Sequence, residues 1–292
     1  MAAYFGPAGN SDSFSQRGYK KNIQIPTYLA EFSLGAYEYQ CGRGVRVNEK
    51  AAKEFAAAAK AGGIRLSLHA PYYISLSSVE PEKREKSVGY ILDSARAADW
   101  LGAERIVVHS GSCSKMTREQ ALDLAKDTLL QAQKVLDEEH LGHIRICPET
   151  MGKINQLGTF EEVMELCQVD ERFVPCIDFG HLNARTLGQV NSKEAFEAIL
   201  DGMKNLLGEE RAGCFHSHFS KIEYTEKGGE KRHLTFEDTQ FGPDFGPLAL
   251  LIAQYDLSPT FICESAGTQA EDAKMMQDQY LAAVRAGKGE TR

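Results

Sequence analysis

Residues 173–181 read FVPCIDFGH. The apolar run Phe173-Val174-Pro175-Cys176-Ile177 has the length and composition of a buried strand. It nevertheless stops on Asp178 and, three residues later, His181. Five other apolar runs end the same way: LSLH (66–69), IVVHS (106–110), IRICPE (144–149), CFHSH (214–218) and FICE (261–264). One strand ending on a metal-type side chain is ordinary. Six in one chain call for a common cause.

Outward from these runs, strand-like and helix-like stretches alternate. Strands are expected near 2–6, 36–40, 64–69, 105–109, 143–148, 173–178, 212–218 and 259–264. Amphipathic spacing predicts helices at 51–63, 83–103, 116–140, 158–168, 192–207 and 270–286. Thr117 and Glu119 stand near the head of the third, and Gly62-Gly63 closes the first. Regular alternation implies parallel strands joined by crossovers. In 292 residues the economical solution is one (β/α)8 TIM barrel, taken as a single domain over 1–292. A doubly wound open sheet is the runner-up, but no GxGxxG follows the first strand. The Gly-rich stretch 225–246, TEKGGEKRHLTFEDTQFGPDFG, is expected as a long substrate-facing loop.

Composition narrows the function classes. Charged residues make up 25% of the chain and the formal net charge is -8. That gives no global attraction to nucleic acid, so such contact would need a local basic surface. No apolar run reaches the ~18 residues of a membrane span, and MAAYFGPAGNSDS lacks the pattern of a secretory leader. Seven cysteines without a CxxC pair argue for buried thiols in a reduced, cytoplasmic protein.

In a parallel barrel all strand carboxyl ends converge on one face. The residues collected there are His69, His109, Glu149, Asp178, His181, His218 and Glu264, with His233 on the long loop and His216 sharing a strand with His218. Taken singly, a strand-end His is an ordinary hydrogen-bonded residue, and Glu149 or Asp178 could simply cap the next helix. Together, several carboxylates on one rim would repel one another unless cations sat among them. Imidazoles mixed with carboxylates suit Zn²⁺, Mn²⁺ or Fe²⁺. The number of ligands exceeds what one tetrahedral ion needs, which points to two or three ions and a bridging carboxylate. Such a cluster suits in-line phosphoryl displacement, with Glu149 or Glu264 bridging the ions or orienting a water.

The set resembles the endonuclease IV family of apurinic/apyrimidinic endonucleases. His69-Ala-Pro-Tyr72, His109-Ser-Gly-Ser, Glu149-Thr-Met-Gly, Asp178-Phe-Gly-His181, His218, His233 and Glu264 occur in the family's order. Gly242-Pro-Asp-Phe-Gly246 is similar to its Gly-rich turn. The resemblance implies a TIM barrel with a zinc cluster that hydrolyses DNA 5′ to abasic sites, with Glu149 and Glu264 catalytic. It implies that His69, His109 and Glu149 hold one ion. Glu149 would bridge to a second held by Asp178, His218 and Glu264, and His181 and His233 would hold a third. Tyr72 falls where the family reaches toward DNA; Gln40, Arg43 and Lys231 are further substrate-binding candidates. The chain departs from the pattern at Lys231, where the family has a third-ion aspartate. A protonated lysine cannot ligate, and Glu230 is the neighbouring alternative. The rival reading is a one-metal sugar isomerase or epimerase using Glu149, Asp178, a histidine and Glu264, which leaves His69, His109 and His233 without work. A barrel that binds without turnover is a third reading. A monomer is expected.

Overall fold

The computed structural model describes residues 2–289. Eight parallel strands form the barrel: β1 (Tyr4–Pro7), β2 (Ala36–Gln40), β3 (Arg65–His69), β4 (Arg105–His109), β5 (Arg145–Glu149), β6 (Cys176–Asp178), β7 (His216–Phe219) and, after a hairpin, β10 (Thr260–Cys263). The order around the sheet is β1-β10-β7-β6-β5-β4-β3-β2. The seam between β1 and β2 is thin. It consists of a bridge from Ala8 to Glu38, with Gly9 N–H donating to the Glu38 carbonyl at 3.0 Å and Gly35 N–H to that of Phe5 at 3.1 Å.

Helices wrap the strands, and their starts follow local side-chain chemistry. Asn48 caps Glu49–Ala61, Ser192 caps Lys193–Leu207, and Thr117 with Gln120 forms a capping box ahead of Arg118–Glu138. Thr159 with Glu162 does the same for Phe160–Cys167. The main core lies between the strands' outer faces and the helices, where Phe5, Leu68, Ile106, Ile146, Ile177, Phe219 and Phe261 are buried. Inside the barrel a separate small cluster, Val107, Cys147, Val174 and Cys176, fills the middle of the β4–β6 side. All seven cysteines are free thiols.

The strand and helix expectations hold to within a few residues. The stretch 225–246 is a correction: it is not a plain loop. Ile222–Thr225 (β8) and Gly229–His233 (β9) form an antiparallel hairpin with a register shift at Glu223/Tyr224. Gly229 anchors the hairpin on the segment after β5. Its φ of 72° and a side chain's collision with the Gly152 carbonyl at 2.2 Å leave room for hydrogen alone. Also unforeseen is the short helix Phe179–Arg185, which starts on Asp178.

Candidate metal centre

Strand side chains alternate, so residues four apart share a face. His69, His109 and Glu149 thereby emerge into a cleft of about 360 Å³ at the carboxyl end of the barrel, shared with His181, His233 and Glu264. A larger cavity of about 1000 Å³ lies at the opposite end. The smaller one holds the ligand-type residues.

Glu149 is the hub. Its Oε2 lies 3.5 Å from His69 Nε2 and 3.4 Å from His109 Nε2. Its Oε1 lies 2.9 Å from His218 Nδ1 and 3.5 Å from His181 Nδ1. Glu264 Oε2 stands 3.5 Å from the same His218 Nδ1, and Asp178 Oδ2 stands 3.1 Å from His181 Nδ1. Asp178 has two jobs: Oδ1 accepts the His181 backbone N–H at 2.7 Å, capping the helix, and its carboxylate joins the buried group of Glu149, His218 and Glu264 beneath the cleft. Three groups gather donor atoms closely enough to share an ion: His69/Glu149/His218, Glu149/Asp178/His218/Glu264, and His181/Glu230/His233.

Most of the imidazoles are held from behind. His69 Nδ1 meets the Ala70 carbonyl at 2.8 Å, His181 Nδ1 meets that of Thr150 at 2.9 Å, and His233 Nδ1 meets Ser220 Oγ at 2.8 Å. Each contact occupies one ring nitrogen, and the Nε2 of His69 and of His181 is turned toward Glu149 and Glu230, the arrangement that fixes tautomer and aim in metal-binding histidines. For His218 the roles are reversed. Nδ1 faces the Glu149 and Glu264 carboxylates, while Nε2 lies 2.9 Å from Oε1 of Glu38, a fully buried carboxylate in mid-barrel. Glu38 Oε2 also meets His216 Nε2 at 2.9 Å and accepts from Ser67 Oγ at 2.9 Å, and Gln40 Nε2 donates to Oε1 at 3.2 Å.

The electrostatics fit cation binding. Burial, the largest influence, pushes the Glu149 carboxyl up, but His218, His69 and His109 together hold it well below the usual range. Burial drives His109 down to about 3, leaving a neutral imidazole that can donate a lone pair. Burial also lowers His181, yet Asp178, Glu230 and Glu149 outweigh it and lift the ring to about 9. A cation entering there would displace a proton. Two buried carboxylate oxygens, Glu149 Oε2 and Asp178 Oδ2, have no hydrogen-bond partner. Such orphans are costly, and both aim where an ion would sit. The hard oxygen and imidazole donors suit Zn²⁺, Mn²⁺ or Fe²⁺. A further grouping, Cys176/His216/His218, is different. Burial keeps the Cys176 thiol protonated and Glu38 holds both imidazoles.

The substrate-side candidates separate. Tyr72 stands over the cleft, 54% exposed, its ring stacked on His109 at 5.1 Å. Burial, helped by Glu264 and Glu149, pushes its hydroxyl up to about 12, so the phenol stays neutral. Gln40 and Arg43, with Arg46, line an adjoining shallow cleft of about 450 Å³ that shares Tyr72. Lys231 does not line the cleft; it pairs with Glu223 on the exposed side of the hairpin. The register shift in the hairpin leaves Lys231 and Arg232 together on the exposed side, both pairing with Glu223, and turns Glu230 and His233 toward the cleft, with Glu230 Oε2 3.5 Å from His181 Nε2. Glu38 escaped the sequence reading altogether. In Tyr37-Glu38-Tyr39 the apolar residues look like the inward set, but in a barrel they face the helices.

The sequence profile of the xylose isomerase-like TIM barrel family matches residues 28–282. An uncharacterised protein of Methanocaldococcus jannaschii, MJ0133, is 34% identical over 251 residues, 85% of this chain and 88% of that protein. A protein of Oceanobacillus iheyensis named probable endonuclease 4 is 30% identical over 191 residues, 63% of this chain and 60% of the other. Among solved structures, a D-tagatose 3-epimerase-like protein superposes with a TM-score of 0.73 at 20% identity, covering 97% of this chain and 99% of that one. Endonuclease IV from Thermus thermophilus gives 0.66 at 20% identity, covering 98% of both. At that identity the two structures speak for the fold alone. The profile match over most of the chain carries the assignment: this protein belongs to the xylose isomerase-like TIM barrel family.

Proposed function

We propose that this protein is a metal-dependent phosphodiesterase of the endonuclease IV type, cleaving DNA 5′ to abasic sites. The observation that carries this reading is the surplus of ligands. His69, His109 and the His181/Glu230/His233 group stand beside a four-residue set, Glu149/Asp178/His218/Glu264, that would satisfy one ion by itself. A cluster of two or three Zn²⁺, Mn²⁺ or Fe²⁺ ions would supply hydroxide near neutral pH and balance charge on the reacting phosphate.

The chain's own groups divide the remaining work. Glu149 presents one oxygen to His69 and His109 and the other to His218 and His181, so it would join neighbouring ions. Glu264, at the cleft edge with its side chain 14% exposed, would orient a water and hold its proton. Tyr72 would press its ring against the DNA where a base is missing. Arg43 and Arg46 in the adjoining cleft, and Lys153 beside the metal cleft, would contact backbone phosphates and compensate for the negative total charge.

A second reading is a sugar epimerase. The compactness of the Glu149/Asp178/His218/Glu264 set favours it, since two glutamates beside one chelated hydroxy-ketone could exchange a proton. Incubation with a duplex carrying one abasic site decides. A nick leaving a 3′-hydroxyl supports the phosphodiesterase. Intact duplex with added Zn²⁺ or Mn²⁺, together with epimerisation of a ketose, overturns it.

A further inference from the structure

β3, β4 and β5 read RLSLH, RIVVH and RICPE. Each begins with arginine four residues before its cleft residue, so the arginine faces the barrel axis at the other end. Arg65, Arg105 and Arg145 therefore line the amino-terminal mouth, which opens into the cavity of about 1000 Å³. Arg65 lies over the Tyr4 ring at 4.2 Å and reaches Thr260 Oγ1 at 3.4 Å. Arg105 is only 8% exposed; Nη2 donates to the Cys214 carbonyl at 2.8 Å, and Nη1 is buried without any acceptor. Among the described residues no carboxylate forms an ion pair with any of the three.

Three like charges around one opening repel, and a buried guanidinium nitrogen without an acceptor is costly. Arginines serving only to plug the barrel floor would fill the space, yet a cavity remains in front of them. An oxyanion bound there would answer both problems. Three guanidinium forks offer more donors than the two oxygens of one carboxylate can use, whereas a phosphate presents three. The cavity's outer wall limits what the phosphate is attached to. Glu104, Asp201, Glu209 and Glu210 are exposed around it, with Lys204 paired to Glu209 at 2.8 Å. Those carboxylates would repel a nucleic-acid backbone and accept hydroxyls or an amine.

We propose that the amino-terminal mouth is a second binding site, in which Arg65, Arg105 and Arg145 hold the phosphate group of a small phosphorylated metabolite. The site lies at the far end of the barrel from the metal-type cleft and does not depend on the reaction performed there.

The test is calorimetric titration with inorganic phosphate, using the protein as purified and after chelation, with succinate as the planar comparison. After chelation phosphate should bind with 1:1 stoichiometry and raise Tm, and both effects should persist in Glu149→Gln. Arg145→Gln, at a half-buried position, should weaken binding about tenfold, the loss expected for one charge-assisted contact. Arg105→Met should weaken it more, and if that variant fails to fold, Arg65→Gln and Arg145→Gln still decide. Phosphate binding that survives both of those substitutions but is lost in Glu149→Gln would put the anion in the metal cleft and overturn the proposal. So would the absence of any heat or Tm shift at millimolar phosphate. Succinate binding as tightly as phosphate would overturn the phosphate assignment.

Discussion

The two mouths of this barrel are made by the same strands and have opposite chemistry. At the carboxyl end β3, β4 and β5 deliver His69, His109 and Glu149; at the amino end they deliver Arg65, Arg105 and Arg145. Four residues of extended chain separate the sets by about 13 Å. What lies between differs by side. Along β4 to β6 the interior is dry, built from Val107, Cys147, Val174 and Cys176. Along β2 and β7 it is polar, with Glu38, Ser67, His216 and His218 in contact. One half of the interior separates the mouths with apolar side chains, and the other half carries a polar network that reaches the carboxyl end through His218. This is more than sheet geometry requires, because alternation needs only that the inward residues fit.

The comparison can be broken from either end, and the largest effect belongs to the hub. Glu149→Gln should reduce bound metal by at least about 100-fold and abolish turnover, since its carboxylate faces four imidazoles. Elemental analysis after dialysis checks this, and full metal content in the variant would remove Glu149 from the centre. Glu38→Gln acts one contact further back. It keeps the shape but loses the charge behind His218, so zinc affinity should fall about 10–100-fold. Competition with a chromophoric chelator reads that change directly. Unchanged affinity would reduce Glu38 to a buried polar residue that only serves packing.

Glu230→Gln touches one corner of the cleft. It should lower the metal count by one ion and leave the others bound, which mass spectrometry under native conditions resolves. Glu162 lies outside both mouths and serves as the reference. Burial raises its carboxyl, but Arg118 and the Thr159 and Gly158 N–H groups hold it below the usual value overall. A depressed carboxyl stabilises the fold above its ordinary pKa, and that stability is lost as pH falls through the folded value. Glu162→Gln should therefore lower Tm by a few degrees at neutral pH, with the gap closing in acid. Smallest of all, Lys231→Ala should leave metal count unchanged and shift stability by less than about 0.5 kcal/mol, as for exposed ion pairs generally.

Much of the barrel was legible because six apolar runs each stop on a carboxylate or imidazole, and only a common mouth makes sense of that. Three features were not. Lys231 and Glu230 differ by one position, and a one-residue slip reverses which side chain faces in. The hairpin holding them has no apolar alternation to announce it. Glu38 was hidden by the barrel itself. Its strand neighbours Tyr37 and Tyr39 pack outward under helices, so hydrophobicity marks the wrong face for the axis. The arginine floor was visible in the letters, but each guanidinium reads as a surface charge until strand register places it inside.

The thin closure between β1 and β2 has a mechanical consequence. With no ladder there, Glu38 contributes to the hoop twice: its main chain meets Ala8 and Gly9, and its carboxylate spans the axis to the imidazoles of β7. Gly6 permits the close approach, since any side chain there would strike the Ala36 carbonyl. A divalent ion bound in the cleft would tighten His218 and, through it, the brace. Amide hydrogen exchange at Gly9 and Gly35 should then slow more than at any other barrel position, so that ligand occupancy at the rim is felt as tension in the stave that closes the cask.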